Sequence, residues 1–213
     1  DVVRAHGLRY RDGYLQAEDF KLFSELARFG ELHNLRHVGL RYRQHDEQVT
    51  RREDAVMRDT HLRICLENLA ARGVPFDLQL NSVAVGDNIM ASSDYVHNKQ
   101  RLLETGVTVW EWFGDYSSHG KSALIDDMAV VGSYNLDMRS PYLDTELMLG
   151  LHGGDFSSAL EEYLLSTQDH ALQALPQGGY VPKEGVEVLP VIGAKAWLFP
   201  ITSVVFQLIR YLL

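Results

Sequence analysis

The sequence has little cysteine and little positive charge. Its one cysteine, Cys65, rules out a disulfide framework within the chain, and its place in a helical pattern predicts a small buried apolar side chain. Lysine and arginine number 20 against 29 acidic residues, which gives a formal net charge of −9. Because a protein that binds nucleic acid needs a basic surface against the phosphate backbone, this balance disfavours a nuclease.

An uninterrupted hydrophobic run long enough to cross a bilayer is also absent. The most apolar stretch, 194–213, contains Pro200 at a plausible helix start, and only a short helix remains after it. Ile201, Val204 and Val205 then form one apolar stripe. Two interpretations of this C-terminal amphipathic helix stay open: it closes the domain core, or it lies on a bilayer surface.

What the sequence does contain is an alternation of helical and extended patterns. With 46% apolar residues, the chain can bury the core of one full globular domain. The order of helix, strand, helix, strand is typical of an α/β sandwich with a central mixed sheet flanked by helices. The predicted helices cover 17–29, 60–72, 93–104 and 156–175, and the predicted strands include 74–80 and 107–113.

A predicted hairpin carries the residues with the most distinctive chemistry. His119 and Lys121 are two residues apart, so on an extended strand both side chains project to the same face. Asp126 then begins a turn, and the apolar residues 128–131 are typical of a returning buried strand. The hairpin therefore places an imidazole and an ammonium side by side at the start of its first strand.

Further polar residues follow the second strand. Gly132 releases the backbone before Ser133 and Asn135, which alternate onto one face and can lie beside the His/Lys pair. Glu146, in a strand-like segment, is a candidate partner for the other ring nitrogen of His119.

These residue types suit phosphoryl transfer. A neutral imidazole can attack phosphorus and leave again, so a covalent phosphohistidine on His119 would divide one displacement into two easier steps. Lys121 would bind the non-bridging oxygens, and Ser133 and Asn135 would supply directed donors. The scheme needs no metal and no cofactor, and no metal-ligand spacing lies nearby.

At these positions the chain resembles the phospholipase D superfamily, whose HKD signature is His-x-Lys, four residues, Asp, and six residues later Gly-Ser-x-Asn. The continuation to Glu146 and the upstream segments Leu80-Asn81-Ser82 and Tyr95-Val-His97 are similar to the bacterial cardiolipin synthase branch, and the likeness covers about 60–165. The resemblance implies that His119 is the nucleophile or the acid/base, and that Asp126 mainly fixes the turn. The other roles follow the same family: Lys121 and Asn135 bind phosphate, Ser133 supports them, and Glu146 orients the imidazole.

The chain departs from the family in holding one such motif, where the family builds its site from two. His97-Asn-Lys99 is a poor second copy, because Glu104 replaces the aspartate and the segment is predicted to be helical. We expect the second half to come from a missing N-terminal half, with this chain as the C-terminal half, or from a homodimer partner. We divide the chain into an N-terminal helix and poorly defined connector (1–59), a phospholipase D-like half-domain (60–192) and the C-terminal apolar helix (193–213).

The resemblance also implies a function and a location. It predicts a cardiolipin synthase-like phosphatidyltransferase with a phospholipid substrate, in the bacterial cytoplasm and peripherally associated with the inner membrane. A phospholipase D-type hydrolase, a nuclease, and an inactive half-domain without its second motif remain as alternatives. The connector holds a basic cluster that is either a solvated segment or a contact for anionic head groups or the missing half: Arg36, Arg41, Arg43, Arg51 and Arg52.

Overall fold

The computed structural model describes residues 1–33, 36–37, 39, 54–135, 140 and 145–208. Most of the predicted connector, including Arg41, Arg43, Arg51 and Arg52 of the basic cluster, lies outside the described residues, and so do 136–139, 141–144 and 209–213. The chain divides into two compact units, one of Asp1–Phe76 with Thr105–Val107 and one of Asp77–Glu104 with Thr108–Leu213.

The first unit is helical. It contains α1 (Val2–Ala5), α2 (Glu18–Leu26) and α3 (Asp54–Ala71). Helix α2 packs against α3, and Lys21 Nζ of α2 lies 2.8 Å from Glu67 Oε2 of α3. These helices confirm the predictions over 17–29 and 60–72.

The prediction of a buried Cys65 is wrong, since this side chain is exposed. Within the described residues, the buried side chains of α3 are Thr60, Ile64 and Leu66. Cys65 lies about 100° around the helix from Ile64, and therefore faces solvent.

In the part of it that the structure describes, the second unit contains two three-stranded sheets and three helices. In the first sheet, β1 pairs in parallel with β2 and β2 pairs antiparallel with β6; in the second, β3, β4 and β5 pair antiparallel. The strands are β1 (Asp77–Asn81), β2 (Thr108–Trp112), β3 (Lys121–Ile125), β4 (Met128–Gly132), β5 (Met148–His152) and β6 (Ala171–Gln173), and the helices are α4 (Ile89–Leu103), α5 (Gly154–Gln168) and α6 (Ala194–Leu208).

This architecture confirms the predicted α/β class and the mixed pairing of strands. The prediction of one helix over 156–175 is wrong, because α5 ends at Gln168 and β6 follows. Ala171 and Leu172 are buried where β6 pairs with β2, a pairing that helical periodicity along the chain cannot reveal. The predicted return strand forms as β4, but only Ala129 of its five residues is buried.

The core of the second unit surrounds β2. Burial alternates along this strand, with Val109 and Glu111 buried and the tryptophans on either side of Glu111 half-buried, because successive side chains of a strand point to opposite faces. Glu111 is 1% exposed and lies 2.5 Å from Lys99 Nζ of α4. The His97-Asn-Lys99 segment is thus helical, as predicted, and its lysine is engaged in a core ion pair.

Helix α6 begins at Ala194, so Pro200 lies inside it and the prediction that Pro200 starts the helix is wrong. The helix packs against α4. None of the described helices combines the length and the apolar character needed to cross a bilayer.

Candidate active site

The register of the second sheet brings the predicted site residues to one end of it. Lys121, the first residue of β3, pairs with Gly132, the last of β4, and Gly132 pairs with Met148, the first of β5. Adjacent strands are about 4.8 Å apart, so the segments that flank these three residues lie close together. His119 precedes β3, Ser133 follows β4, and Glu146 precedes β5, so all three belong to the same sheet end.

Ser133 extends the pairing of β4 and β5 by one residue. Its backbone N–H donates to Leu147 O at 3.0 Å, and its Oγ accepts from Leu147 N at 3.0 Å. The same hydroxyl donates to Glu146 Oε2. Ser133 is therefore held on three sides, and its hydroxyl has a fixed direction.

A second serine, Ser140, holds the other oxygen of Glu146. Its Oγ donates to Glu146 Oε1 at 2.7 Å and accepts from Asn135 N at 2.9 Å. Ser140 itself is 4% exposed, whereas Glu146 is half-buried and Ser133 is exposed. Glu146 thereby ties the start of β5 to the segment that follows β4.

The Glu146 carboxyl has a pKa below its ordinary value. The hydrogen bond from Ser133 is the largest cause, followed by that from Ser140, and the positive charge of Lys121 contributes as well. The carboxylate is therefore ionised at neutral pH. Within the described residues neither of its oxygens accepts a hydrogen bond from His119, so the partner observed for Glu146 is the serine pair rather than the imidazole.

His119 lies in the segment before β3 and is exposed. Lys121 Nζ donates a hydrogen bond to the backbone oxygen of His119 at 2.6 Å. The ammonium group therefore contacts the backbone of His119. Strand β3 starts only at Lys121, so the expectation that both residues belong to one extended strand is met for Lys121 alone.

The segment before His119 is anchored by the carboxyl ends of β1 and β2. Asn81 at the end of β1 donates to Ser118 O at 2.8 Å and accepts from Ser118 N at 2.8 Å. Trp112 at the end of β2 donates through Nε1 to Tyr116 O at 2.8 Å. The first sheet thus fixes the position of the backbone that presents the imidazole.

Asp126 is not brought to this end of the sheet. It lies in the two-residue turn between Ile125 and Met128, at the opposite end of β3, and has a φ of 52°. Aspartate tolerates this left-handed conformation better than most residues do. The structure therefore places Asp126 where it shapes the hairpin, about 16 Å from Lys121 along the strand.

Asn81 and Ser140 both hold site segments in place, a role that was not predicted from the sequence. Asn81 ends a predicted strand with a polar side chain, a pattern that could have indicated it. Ser140 gave no such signal, because its contacts with Asn135 and Glu146 depend on the tertiary structure. Within the described residues no group of three or more histidine, cysteine, aspartate or glutamate side chains is arranged to bind a metal.

The second unit is thus an α/β unit that carries an exposed histidine, a lysine and a serine-bound carboxylate at one end of a sheet. Residues 42–167, more than half of the chain, match the family model described as "Cardiolipin synthase, PLD-like domain". The chain belongs to this family.

The chain is also similar to parts of curated proteins. The chain is 38% identical over 72 residues to a protein named cardiolipin synthase A from Serratia proteamaculans, covering 32% of this chain and 15% of that protein. It is 27% identical over 122 residues to an uncharacterized protein of Helicobacter pylori, covering 51% of this chain and 24% of that one. The chain therefore matches a quarter or less of the length of these relatives. No solved structure matches it.

Proposed function

We propose that this chain carries one half of the active site of a phosphatidyltransferase that acts on phospholipid through a phosphohistidine at His119. The observation that carries the proposal is the register of β3, β4 and β5, which gathers the segments bearing His119, Lys121, Ser133 and Glu146 at one sheet end. Membership of the cardiolipin synthase family supplies the substrate class.

In the first step, a ring nitrogen of His119 attacks the phosphorus of a phosphodiester. The N–P bond forms as the P–O bond to the leaving alcohol breaks, and a second histidine donates the proton that this alcohol takes up. In the second step, the incoming alcohol gives its proton to that second histidine and attacks phosphorus, and the N–P bond breaks. Lys121 stabilises the negative charge on the non-bridging oxygens throughout.

The second histidine belongs to a second HKD half, from another segment of a longer polypeptide or from a second copy of this chain. Glu146 acts as a positioning residue in this scheme. Its ionised carboxylate holds Ser133 and Ser140, and through Ser140 Oγ it orders the backbone of Asn135. The backbone that carries Asn135 is thus ordered before the substrate arrives, which lowers the cost of organising this part of the site.

The test is the transfer of label from phosphatidylglycerol that is radiolabelled in its phosphatidyl phosphate, in a preparation that contains a second HKD half. We expect His119→Ala to reduce turnover by at least roughly a thousandfold and to abolish acid-labile label on the protein. His152→Ala is the matched control, because His152 is also an exposed histidine but lies beside Met128, at the other end of the same sheet. Equal activity in the two variants would refute the proposal.

The products distinguish the two outcomes of the second step. Transfer to a lipid alcohol gives cardiolipin, whereas transfer to water gives phosphatidic acid. We expect cardiolipin to predominate, and phosphatidic acid alone would identify a hydrolase.

A further inference from the structure

Helix α6 turns its polar contacts toward the domain and its apolar side chains toward solvent. On the inner side, Thr202 Oγ1 lies 2.9 Å from Ser93 Oγ of α4, and Lys195 Nζ donates to Gly86 O. These contacts, seven residues apart, fix the rotation of the helix about its axis. An ordinary surface helix has the opposite arrangement, with its apolar stripe inward.

The outer face is continuous with the segment that precedes the helix. Trp197 is 85% exposed, Ile201 63% and Val204 66%. We use the name outer face for the exposed apolar side chains of 188–205: Val188, Leu189, Ile192, Trp197, Leu198, Ile201, Val204 and Val205. An apolar patch of this size is typical of an interaction site.

Charge indicates what covers the outer face. The chain has a net charge of −9, yet residues 188–213 contain no aspartate or glutamate, and their two charged residues are Lys195 and Arg210. A surface that meets lipid phosphates must lack negative charge, whereas the rest of this chain is rich in it. A tryptophan at the edge of the apolar face also suits the boundary between head groups and acyl chains.

The helix is connected to the same strand end that anchors the active-site segment. The loop after β1 receives Lys195 at Gly86 O, and the neighbouring Asp87 accepts from Ser117 Oγ at 3.2 Å. Ser117 lies two residues before His119 and also accepts from Asn81 Nδ2 at 3.2 Å. One short loop thus contacts both the helix and the segment that presents the imidazole.

We infer that the outer face of α6 lies on a phospholipid bilayer and brings His119 to the level of the head groups. This inference deepens the proposed function and rests on it for the choice of lipid as the occupant. Trp197, Ile201 and Val204 enter the boundary between head groups and acyl chains, while the contacts of Lys195 and Thr202 keep the helix attached to the domain.

The test is flotation of the full chain, carrying His119→Ala to prevent turnover, with vesicles of phosphatidylcholine and phosphatidylglycerol. We expect the chain to float with the vesicles. The double variant Ile201→Glu with Val204→Glu should weaken partitioning by at least about tenfold, since each change removes an apolar side chain that the bilayer would bury. The matched control is Phe156→Glu with Leu165→Glu on α5, which adds the same charge at side chains 61% and 55% exposed. We expect the control to partition as its parent does.

Quenching of tryptophan fluorescence by brominated lipid gives a second measurement that needs no charged variant. We expect quenching in the parent and its loss in Trp197→Phe.

Failure of the parent to float, or equal losses in the α6 and α5 variants, would overturn the inference. So would light scattering in which the parent is a dimer and the α6 variant a monomer, because a second copy would then cover the face. Vesicle binding by this chain, together with no lipid transfer by the chain that keeps His119 in the presence of a second HKD half, would refute the proposed function and leave this surface assigned.

Discussion

The buried carboxylate of Glu111 offers the sharpest test of the fold that supports the site. Its Oε1 lies 2.5 Å from Lys99 Nζ and accepts from Tyr95 OH at 2.6 Å, and its Oε2 accepts from Tyr180 OH at 2.6 Å. The cluster joins α4, β2 and the segment after β6. Because Trp112 is the next residue of β2 and anchors the segment before His119, this cluster also supports the active site.

Glu111→Leu removes the carboxylate that accepts from all three partners. The ammonium of Lys99 and the hydroxyls of Tyr95 and Tyr180 then lose this acceptor. Removing one partner of a buried ion pair costs about 3–5 kcal/mol. We expect a loss in that range, although Lys99 keeps 23% of its side chain exposed and can recover some hydration. A typical domain is stable by about 5–15 kcal/mol, so the variant will be folded but fragile.

Glu111→Gln separates charge from hydrogen bonding, because the amide oxygen still accepts while the negative charge is lost. We expect about 1–3 kcal/mol for this change. In the double variant with Lys99→Met the neutral amide no longer faces a buried cation. The cycle should therefore give a favourable coupling of about 1–3 kcal/mol, as contacting residues usually show.

The assay is urea unfolding followed by tryptophan fluorescence. All three tryptophans lie in the second unit, so the signal reports on the unit that contains Glu111. A loss below about 1 kcal/mol in Glu111→Leu, or a coupling below about 0.5 kcal/mol, would refute the view that this cluster is a tightly coupled ion pair.

Four further predictions concern the site and the pH dependence of stability. Glu146→Gln should slow transfer by about 10- to 100-fold through loss of positioning, and an unchanged kcat would contradict the role assigned here. The pKa of Glu146 is lowered in the folded state, so its carboxylate stabilises the fold above the pKa that it has in the unfolded chain. This stabilisation is lost as the pH falls through the pKa of the folded state. The unfolding midpoints of wild type and Glu146→Gln should therefore converge in acid. Asn81→Ala should cost about 1–3 kcal/mol of stability and reduce kcat, since it frees the backbone of Ser118; unaltered kinetics would rule out this anchoring. Burial, together with the charge and hydrogen bonds of Glu111, raises the pKa of both Tyr95 and Tyr180. Above about pH 10 these tyrosines ionise in the unfolded chain before they ionise in the folded one, so the stability should fall. Unfolding curves of the Phe variants should lack this alkaline dependence.

Local sequence pattern predicted much of the fold. Periodicity located α2, most of α3, α4 and the strands β1 and β2, because each repeats its apolar residues within one element. It failed where pairing at a distance decides the outcome. Ala171–Gln173 became β6 rather than the end of a helix because β2 offered backbone partners and a buried position.

The site shows the same division. Residue types and spacing alone indicated His119, Lys121, Ser133, Asn135 and Glu146, because phosphoryl transfer requires these groups and the hairpin brings four of them together. Neither the partners of Glu146 nor the anchoring role of Asn81 followed from the sequence, since both depend on contacts between separate strands.

The sequence by itself determined the family, the α/β class and the chemistry available, because these depend on side-chain identity and on local periodicity. Only the tertiary structure decided that Glu146 binds two serines and that α6 turns its apolar side outward. The physical reason is that strand register and the rotation of a packed helix are fixed by contacts between residues far apart in the chain, which no local pattern encodes.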